Sequence, residues 1–367
     1  MKLVDLKLKN YRNCVTLRLN FNSDKILIIG KNAQGKTNIL ESVYFLSGLK
    51  SPRTSNNQEL INFNAGKVEI NANIIKADTP VELDFTYDRE KSRTLKINGV
   101  KSTTKDFKTV LKTVLFSASD LLLLRGEPSD RRDWLDRAIS QVYPAYNDRL
   151  SKYDKIRIQK NNYLKEYLKT GSQNETLLEV FNEQLVITGS NIVYLRKKFL
   201  KEIEKIAQEK HKIISETEEL KIVYSCGFVT DEDEVDSIAC AFEKELADRK
   251  MEEHRRGQSC VGPHRDDVTF FIDGNEAVKY ASQGQQRTIV LALKLSELDI
   301  ITQKTGDEPI LLLDDVLAEL DDIRQNYLLK SINENTQTII TSVDTVLFEE
   351  EFLKDVLIYK IENGLVK

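Results

Sequence analysis

The sequence lacks the features that mark several classes of protein. Its four cysteines are scattered and form no Cys-x-x-Cys pair, which favours reduced thiols in a cytosolic protein and argues against a zinc site. No apolar run approaches the length of a membrane-spanning helix, and the N-terminus has no apolar signal core. We therefore expect a soluble, cytoplasmic protein that has no membrane partner.

An excess of positive charge is also missing. The 367 residues carry a formal net charge of −4, so any contact with nucleic acid requires a local basic surface. With 40% hydrophobic residues, the chain is long enough for one large domain with an insertion, or for two domains.

The most informative stretch is 26–41, ILIIGKNAQGKTNILE. An apolar run leads into Gly30, the G-x-x-x-x-G-K-T spacing follows, and a periodic apolar segment continues the chain; this order predicts a buried strand, a phosphate loop and a helix. Backbone N–H groups of such a loop surround a polyphosphate, and the helix directs its positive end at the anion. The predicted cofactor-binding residues of this loop are Gly30, Lys31, Asn32, Ala33, Gln34, Gly35, Lys36 and Thr37. Lys36 would reach the β- and γ-phosphates of a bound nucleotide, and the Thr37 hydroxyl would hold Mg²⁺.

Alternating apolar residues predict an antiparallel β block around this loop. The segments 3–8 and 15–21 read as an opening hairpin packed beside the phosphate-loop strand, and further strands are expected at 67–75, 80–87 and 94–97, the last turning at Asn98-Gly99.

From about Pro128 the apolar period becomes helical. Two long helices joined by a polar break at 171–175 predict an antiparallel αα-hairpin: the first spans 144–169, and the second carries a 3,4-spaced apolar pattern from Leu178 to Phe199. At about 1.5 Å per residue the second helix would be roughly 50 Å long and would project from the body. Beyond it we expect a strand at 220–225, one helix over 231–257, and a hairpin over 267–279 that turns at Asp273-Gly274.

The first helix of this hairpin is locally basic. Residues 149–169 hold seven Lys and Arg side chains against two acids. The candidate DNA-binding residues are Arg149, Lys152, Lys155 and Lys160. The alternative interpretation is a solvated helix face with excess lysine.

Two segments near the C-terminus supply a second half of the site. Ser282, followed three residues later by Gln285, fits a capping box before a strongly periodic helix. The apolar strand 309–313 ends in the paired acids Asp314 and Asp315, at the carboxyl edge where open α/β sheets bind ligands. In this setting Asp314 would complete the Mg²⁺ shell opposite Thr37, and Asp315 would orient or deprotonate the attacking water.

Taken together, GKNAQGKTNILE, SQGQQRTIVLALKLSEL and LLLDDVLAELD, in this order around a helical hairpin, resemble the RecF family of bacterial DNA-repair ATPases, within the ABC-type group that includes SMC proteins. The segments NYRN, KSPRTSN, FSASDL, RRDWLD and VGPHRDD are also similar to RecF elements. The resemblance covers both ends and most of the middle of the chain.

The resemblance implies an α/β fold, with an ABC-type P-loop ATPase head built from a mixed sheet and an antiparallel β block, interrupted by an inserted α-helical hairpin subdomain. We expect residues 1–120 and 257–367 to form the two halves of the head, and residues 121–256 to form the helical insertion.

It also implies an ATP-dependent homodimer in which two heads sandwich two ATP molecules. Ser282, Gly284 and Gln285 would then meet the γ-phosphate held by the other protomer. Arg12 and Asn13 would lie near the nucleotide, and Lys36 and Asp315 would be catalytic.

Several positions depart from related ATPases. Gln283 stands where transporter ATPases have glycine, and Ser342 and Val343 stand where many relatives have a switch histidine. Asp315 replaces the usual glutamate with a carboxylate one methylene shorter, so we expect slow hydrolysis. His264 and Arg265 would lie near the site or form a hydrogen-bonded structural pair.

The resulting hypothesis is an ATP-gated DNA clamp. The resemblance further implies binding at single-strand gaps and duplex junctions, with RecR and RecO as partners in loading RecA recombinase for repair and replication restart. A transporter-type ATPase would carry a Leu-Ser-Gly-Gly-Gln signature, and a GTPase would carry Asn-Lys-x-Asp; neither pattern is found. A long-armed chromosome organiser would need longer helices. A DNA-binding scaffold that uses ATP only structurally remains the rival from another class.

Overall fold

The chain folds into two units that alternate along the sequence. The computed structural model describes residues 1–171, 175–230, 232–332 and 335–367. One unit comprises Met1–Asp120 with Leu293–Lys367, and the other comprises Leu121–Ala292.

In chain order the strands are β1 (Lys2–Tyr11), β2 (Cys14–Asn20), β3 (Lys25–Ile29), β4 (Lys67–Lys76), β5 (Thr79–Asp88), β6 (Arg93–Ile97), β7 (Val100–Lys101), β8 (Thr113–Ser117), β9 (Leu220–Ser225), β10 (Asp267–Ile272), β11 (Asn275–Glu276), β12 (Ile310–Asp314), β13 (Thr338–Ser342), β14 (Val356–Glu362) and β15 (Leu365–Val366). The helices are α1 (Lys36–Gly48), α2 (Thr104–Lys108), α3 (Leu122–Arg125), α4 (Pro128–Val142), α5 (Ala145–Thr170), α6 (Glu175–Ser215), α7 (Val235–Asp248), α8 (Lys250–Arg256), α9 (Ala277–Tyr280), α10 (Gln283–Thr305), α11 (Asp322–Ser331) and α12 (Glu350–Leu353).

The predicted antiparallel block is confirmed as a sheet with the strand order β2-β1-β4-β5-β6-β7. Its strands alternate buried and exposed residues, because one face covers the core and the other meets solvent. The turn at Asn98-Gly99 has positive φ at both residues (51° and 75°), the geometry that suits the twist of a tight hairpin.

The phosphate-loop strand belongs to a second sheet, ordered β15-β14-β3-β13-β12-β8. Strands β14, β3, β13, β12 and β8 run parallel, and β15 returns antiparallel to β14. Buried side chains of both sheets and of α1 share one core, in which Leu6, Ile28 and Val43 are fully buried. The opening hairpin therefore faces the phosphate-loop strand across this core instead of pairing with it.

The predicted helical hairpin is present in the second unit. Ring centroids of Tyr163 on α5 and Phe181 on α6 lie 6.2 Å apart, and Arg196 of α6 donates to the Tyr146 hydroxyl of α5 at 3.1 Å, so the two helices run antiparallel. Helix α6 has 41 residues, which corresponds to roughly 60 Å at about 1.5 Å per residue. Most of the predicted polar break at 171–175 lies outside the described residues.

Two sequence expectations differ from the structure in the region after α6. The single helix expected over 231–257 is divided at Arg249 into α7 and α8, and Asp231 lies outside the described residues. In addition, β10 pairs antiparallel with β9 from Asp267↔Ser225 to Ile272↔Leu220. This pairing joins β10 to the second unit, which extends to Ala292, whereas the expected boundary was at residue 256.

Candidate nucleotide-binding site

The phosphate loop connects β3 to α1, as predicted. A Cβ atom on Gly30 would lie 2.4 Å from the Ile361 carbonyl oxygen, and one on Gly35, where φ is 106°, would lie 2.9 Å from Asn13 Oδ1. Neither position accepts a larger residue without moving its neighbours, so the two glycines let the loop close. Lys31, Asn32 and Ala33 form the exposed crest between them.

The Lys36 ammonium group lies inside the loop. Its side chain is 4% exposed, and Nζ donates to the Gly30 carbonyl at 2.8 Å and to the Lys31 carbonyl at 3.4 Å. A buried cation inside a glycine-rich loop at a helix N-terminus is suited to hold a polyphosphate.

Thr37 and the paired acids meet at the carboxyl ends of the parallel strands. Thr37 Oγ1 donates to Asp314 Oδ1 at 3.0 Å, and Thr341 Oγ1 donates to the same oxygen at 2.8 Å. Burial raises the pKa of Asp314, and the Thr341 and Thr37 hydrogen bonds oppose this shift. Two hydroxyls and a carboxylate form a set of hard oxygen donors, which is the chemistry that Mg²⁺ prefers.

Asp315 lies beside this group in an unusual backbone conformation. Its φ is 51°, its N–H donates to Thr341 Oγ1 at 2.9 Å, and its carboxylate is 3.9 Å from Lys36 Nζ. The Asp315 side chain is 41% exposed, so it faces the open side of the site. The sequence analysis assigned no role to Thr341. Its position near the carboxyl end of β13, the strand next to β12, is the feature that could have indicated one.

Arg12 is bound to a buried acid of α1 that the sequence did not single out. Its guanidinium donates to both oxygens of Glu41, at 3.0 Å and 2.5 Å, and to the Glu59 carbonyl at 3.1 Å. Ser51 also donates to Glu41 at 2.6 Å, and Arg53 lies 3.5 Å from it. Glu41 thus links the NYRN and KSPRTSN segments to the helix that follows the phosphate loop.

The loop is also held from its flanks. Asn13 Oδ1 accepts a hydrogen bond from Asn38 Nδ2 at 2.6 Å, which places Asn13 against Gly35. The turn between β14 and β15 donates to Gln34 from two backbone groups: Asn363 N to Oε1 at 2.6 Å and Gly364 N to the carbonyl at 2.9 Å. Sequence reasoning found neither this turn nor its contact with Gln34.

The capping box at the start of α10 is confirmed. The Ser282 hydroxyl accepts from Gln285 N at 3.2 Å, and Gln285 Oε1 accepts from Ser282 N at 2.7 Å. Ser282 is exposed at the tip of the helix, and Gly284 is half-buried one residue before Gln285. These residues belong to the second unit, whereas the phosphate loop and the paired acids belong to the first.

The four candidate DNA-binding residues do not share one environment. Arg149, Lys152 and Lys155 are exposed on α5. Lys160 is fully buried and lies 2.6 Å from the buried Glu253 carboxylate, so its inclusion among the phosphate contacts is corrected. Burial lowers the pKa of Lys160, and Glu253 opposes the shift. Lys160 follows Ile156 by four residues and therefore lies on the apolar face of the helix.

The segments RRDWLD and VGPHRDD contact each other in the second unit. Arg131 donates to both carboxylate oxygens of Asp267, at 2.7 Å and 2.8 Å, and Arg132 donates to the Asp266 carbonyl at 2.7 Å. Arg196 of α6 is only 1% exposed, and its guanidinium donates two hydrogen bonds of 3.0 Å to the Asp136 carboxylate. These paired cations and acids fix the base of the helical hairpin.

His264 and Arg265 form a hydrogen-bonded structural pair, the second of the two alternatives given for them above. Both donate to the Ser259 carbonyl, from His264 Nε2 at 3.2 Å and from Arg265 at 3.1 Å, and His264 Nδ1 lies 2.7 Å from the Tyr153 hydroxyl. Burial lowers the pKa of His264 to about 3, so the ring is neutral at physiological pH.

Comparisons with known proteins agree with this arrangement. Residues 2–367 match the RecF/RecN/SMC N terminal domain. The chain is 38% identical to the DNA replication and repair protein RecF of Bacillus subtilis (strain 168), with full coverage of both chains. A solved structure of the recombination mediator protein RecF with ATP, in the RecFOR pathway, is 34% identical with a TM-score of 0.92, covering 100% of this chain and 96% of that one. An Smc head bound to the C-winged helix domain of ScpA shares the fold, with a TM-score of 0.57 at 14% identity, covering 100% of this chain and 96% of that one. The chain therefore belongs to the RecF family, within the group that also contains RecN and the SMC proteins.

Proposed function

We propose that this protein is an ATP-gated DNA clamp of the RecF type. The main support for the proposal is that Lys36, Thr37, Asp314 and Asp315 lie close together at the carboxyl edge of the parallel sheet. A relative at 34% identity is described as a recombination mediator bound to ATP, which supports the same ligand here.

ATP fits this site through backbone and side chains together. Backbone N–H groups of the phosphate loop and the Lys36 ammonium would hold the β- and γ-phosphates, with Arg12 and Asn13 lying to one side. Thr37 and Asp314, whose oxygens are 3.0 Å apart, would hold Mg²⁺. When bound, the ion supplies charge neutralisation to the phosphates.

The capped tip of α10 would complete the site in a dimer. The Gly284 N–H, the Ser282 hydroxyl and Gln285 lie at a helix N-terminus, where anions are stabilised. In the proposed sandwich they meet the γ-phosphate held by the partner protomer. Residues 318–321 (Ala-Glu-Leu-Asp), which follow the paired acids, would lie at the same interface.

Hydrolysis is proposed to be slow and to depend on this dimer. Asp315 is the general base or water-orienting group, and its exposed carboxylate faces the open side of the site near Lys36. Hydrolysis would reopen the dimer and release DNA.

DNA would be held mainly through its phosphates by the exposed cations of α5. Such binding is weakly sequence-specific and sensitive to salt. A preference for gaps and junctions, RecR and RecO as partners, and a role in loading RecA are proposed from the family and from the RecFOR pathway named for the solved relative. Within the ranges 1–171, 175–230, 232–332 and 335–367, the helices are too short or too polar to span a membrane. A location in the cytoplasm stays a prediction.

The dimer is tested by Ser282→Arg. A long cation at the tip of α10 should clash with the closing partner, so ATP-dependent dimers are lost while the protomer binds ATP as before. The masses are measured by light scattering after size exclusion, with and without Mg·ATP and a gapped duplex. Dimers of the variant at the wild-type protein concentration would rule out the sandwich.

The basic face is tested by reversing two charges, Lys152→Glu and Lys155→Glu. Each lost phosphate contact should lower the slope of log affinity against log salt by about 0.9, and affinity for a gapped duplex should fall by about tenfold or more. The matched control reverses Lys165 and Lys169, which are exposed on the same helix nearer its end. Equal losses in both variants, or no loss in the first, would contradict this DNA-binding face.

A further inference from the structure

Gln285 is tied to an acid outside its own segment. Its Nε2 donates to Glu218 Oε1 at 2.8 Å, while its Oε1 accepts from Ser282 N at 2.7 Å. Both ends of the Gln285 amide are therefore engaged, one by the capping box and the other by Glu218.

Glu218 is itself fixed at the base of the long helix. It lies between the end of α6 and the start of β9, and its Oε2 is 3.6 Å from Nε2 of the buried His211 in the last turn of α6. The next residue, Glu219, exchanges two hydrogen bonds with Asp273 at 2.9 Å and 3.0 Å, which lock the adjacent backbone. The Glu218 carboxylate is thus positioned by its contact with His211, and the backbone next to it is fixed by the hydrogen bonds between Glu219 and Asp273.

This contact selects the orientation of the Gln285 amide. An ionised carboxylate only accepts hydrogen bonds, so it requires the NH₂ end of the amide to face Glu218. The carbonyl end must then face the Ser282 N–H. In the flipped orientation the NH₂ group would meet another donor, and the capping box would open.

The Ser282 backbone N–H is held by the correctly oriented Gln285 amide, and the Ser282 hydroxyl is held by the backbone N–H of the same residue. The hydroxyl oxygen accepts from Gln285 N at 3.2 Å, so its hydrogen is left to donate outward from the exposed tip of α10. A hydroxyl held in this way is prepared to donate to an anion such as a phosphate.

We propose that Glu218 is a positioning residue for the capping box at the start of α10: it orients the Gln285 amide and, through it, sets Ser282 and the first turn of α10 for the γ-phosphate of the partner protomer. The inference rests on the proposed function, in which this tip completes the ATP site of a dimer. It also makes the base of α6 part of the machinery that closes the dimer.

Glu218→Ala removes the acceptor and should weaken the ATP-dependent dimer by about tenfold, the scale of one charge-assisted hydrogen bond. The kcat for ATP hydrolysis should fall by a similar factor, while KM for ATP stays within about twofold because the phosphate loop is unchanged. Glu218→Gln keeps an oxygen acceptor and should stay within about threefold of wild type. The matched control is Glu219→Ala, an exposed neighbour, and should behave as wild type.

A charge exchange keeps the proposal testable if Glu218→Ala proves unstable in a thermal melt. Gln285→Glu alone places two carboxylates together and should weaken the dimer about as much as Glu218→Ala. The double variant Gln285→Glu/Glu218→Gln restores a donor facing an acceptor, and should recover the dimer and kcat. Recovery supports positioning through this hydrogen bond.

The outcomes separate this inference from the proposed function. Wild-type dimerisation by Glu218→Ala, with none by Ser282→Arg, would overturn the role of Glu218 and leave the sandwich intact. An absence of recovery in the folded double variant would also overturn it. A wild-type protein that stays monomeric with ATP would instead defeat the proposed function itself.

Discussion

Lys36→Ala should abolish ATP binding at concentrations where the wild-type protein is saturated, an affinity loss of about a hundredfold or more. The Lys36 amine is 4% exposed inside the phosphate loop and lies 2.8 Å from the Gly30 carbonyl. A charge-assisted bond from a desolvated cation to phosphate contributes about 1.5–3 kcal/mol, and the γ-phosphate would lose its nearest fixed positive charge.

The measurement is titration calorimetry with Mg·ATP, accompanied by a thermal melt to establish that the variant is folded. The control is Lys50→Ala, which removes the same charge from an exposed residue just beyond α1. Unchanged ATP affinity in folded Lys36→Ala would eliminate the loop as the nucleotide site, and every proposal that depends on it.

The sequence was most informative about features that are determined by the residues of one short segment. The strand 310–313 is wholly apolar, and it ends on Asp314 because its carboxyl edge is the wet edge of the sheet. The capping box at Ser282 and Gln285 is equally local, since both bonds lie within three residues. Features of this kind follow from spacing alone.

Contacts between distant segments could not be obtained in this way. The Arg12–Glu41 pair and the Gln34 bonds to the Asn363-Gly364 turn join residues whose partners no local pattern identifies. Strand β14 was also missed, although its first four residues, Val356–Tyr359, form a short apolar run of the kind that predicts a strand.

Lys160 is a different kind of miss, because the sequence did contain the relevant signal. Its spacing from Ile156 and Leu164, four residues in each direction, places it on the buried face of α5. The predicted DNA contact of Lys160 rested on the number of cations in α5 and not on this periodicity. The buried Glu253 that neutralises Lys160 comes from α8, far along the chain, and only the structure identifies it.

Asp315→Asn should trap an ATP-bound dimer that holds DNA, with hydrolysis slowed by about 10²–10⁴-fold if Asp315 acts as a general base. Asparagine has nearly the same volume as aspartate and tolerates positive φ, so it suits the φ of 51° at this position. The backbone N–H bond to Thr341 at 2.9 Å is also retained, because it does not involve the side chain. The substitution therefore removes basicity with little change in shape.

Single-turnover hydrolysis and the lifetime of the dimer on a gapped duplex are the two quantities to measure. Asp322→Asn, an exposed acid in the first turn of α11, makes the same chemical change outside the site and should hydrolyse ATP like the wild type. Normal turnover by Asp315→Asn would remove Asp315 from the role of base. The rival scaffold, in which ATP serves only as a structural ligand, makes the opposite prediction for the second quantity: without hydrolysis to open the wild-type dimer, both proteins would hold DNA for equal times. A longer lifetime only in the variant therefore requires that the wild-type clamp is opened by its own hydrolysis.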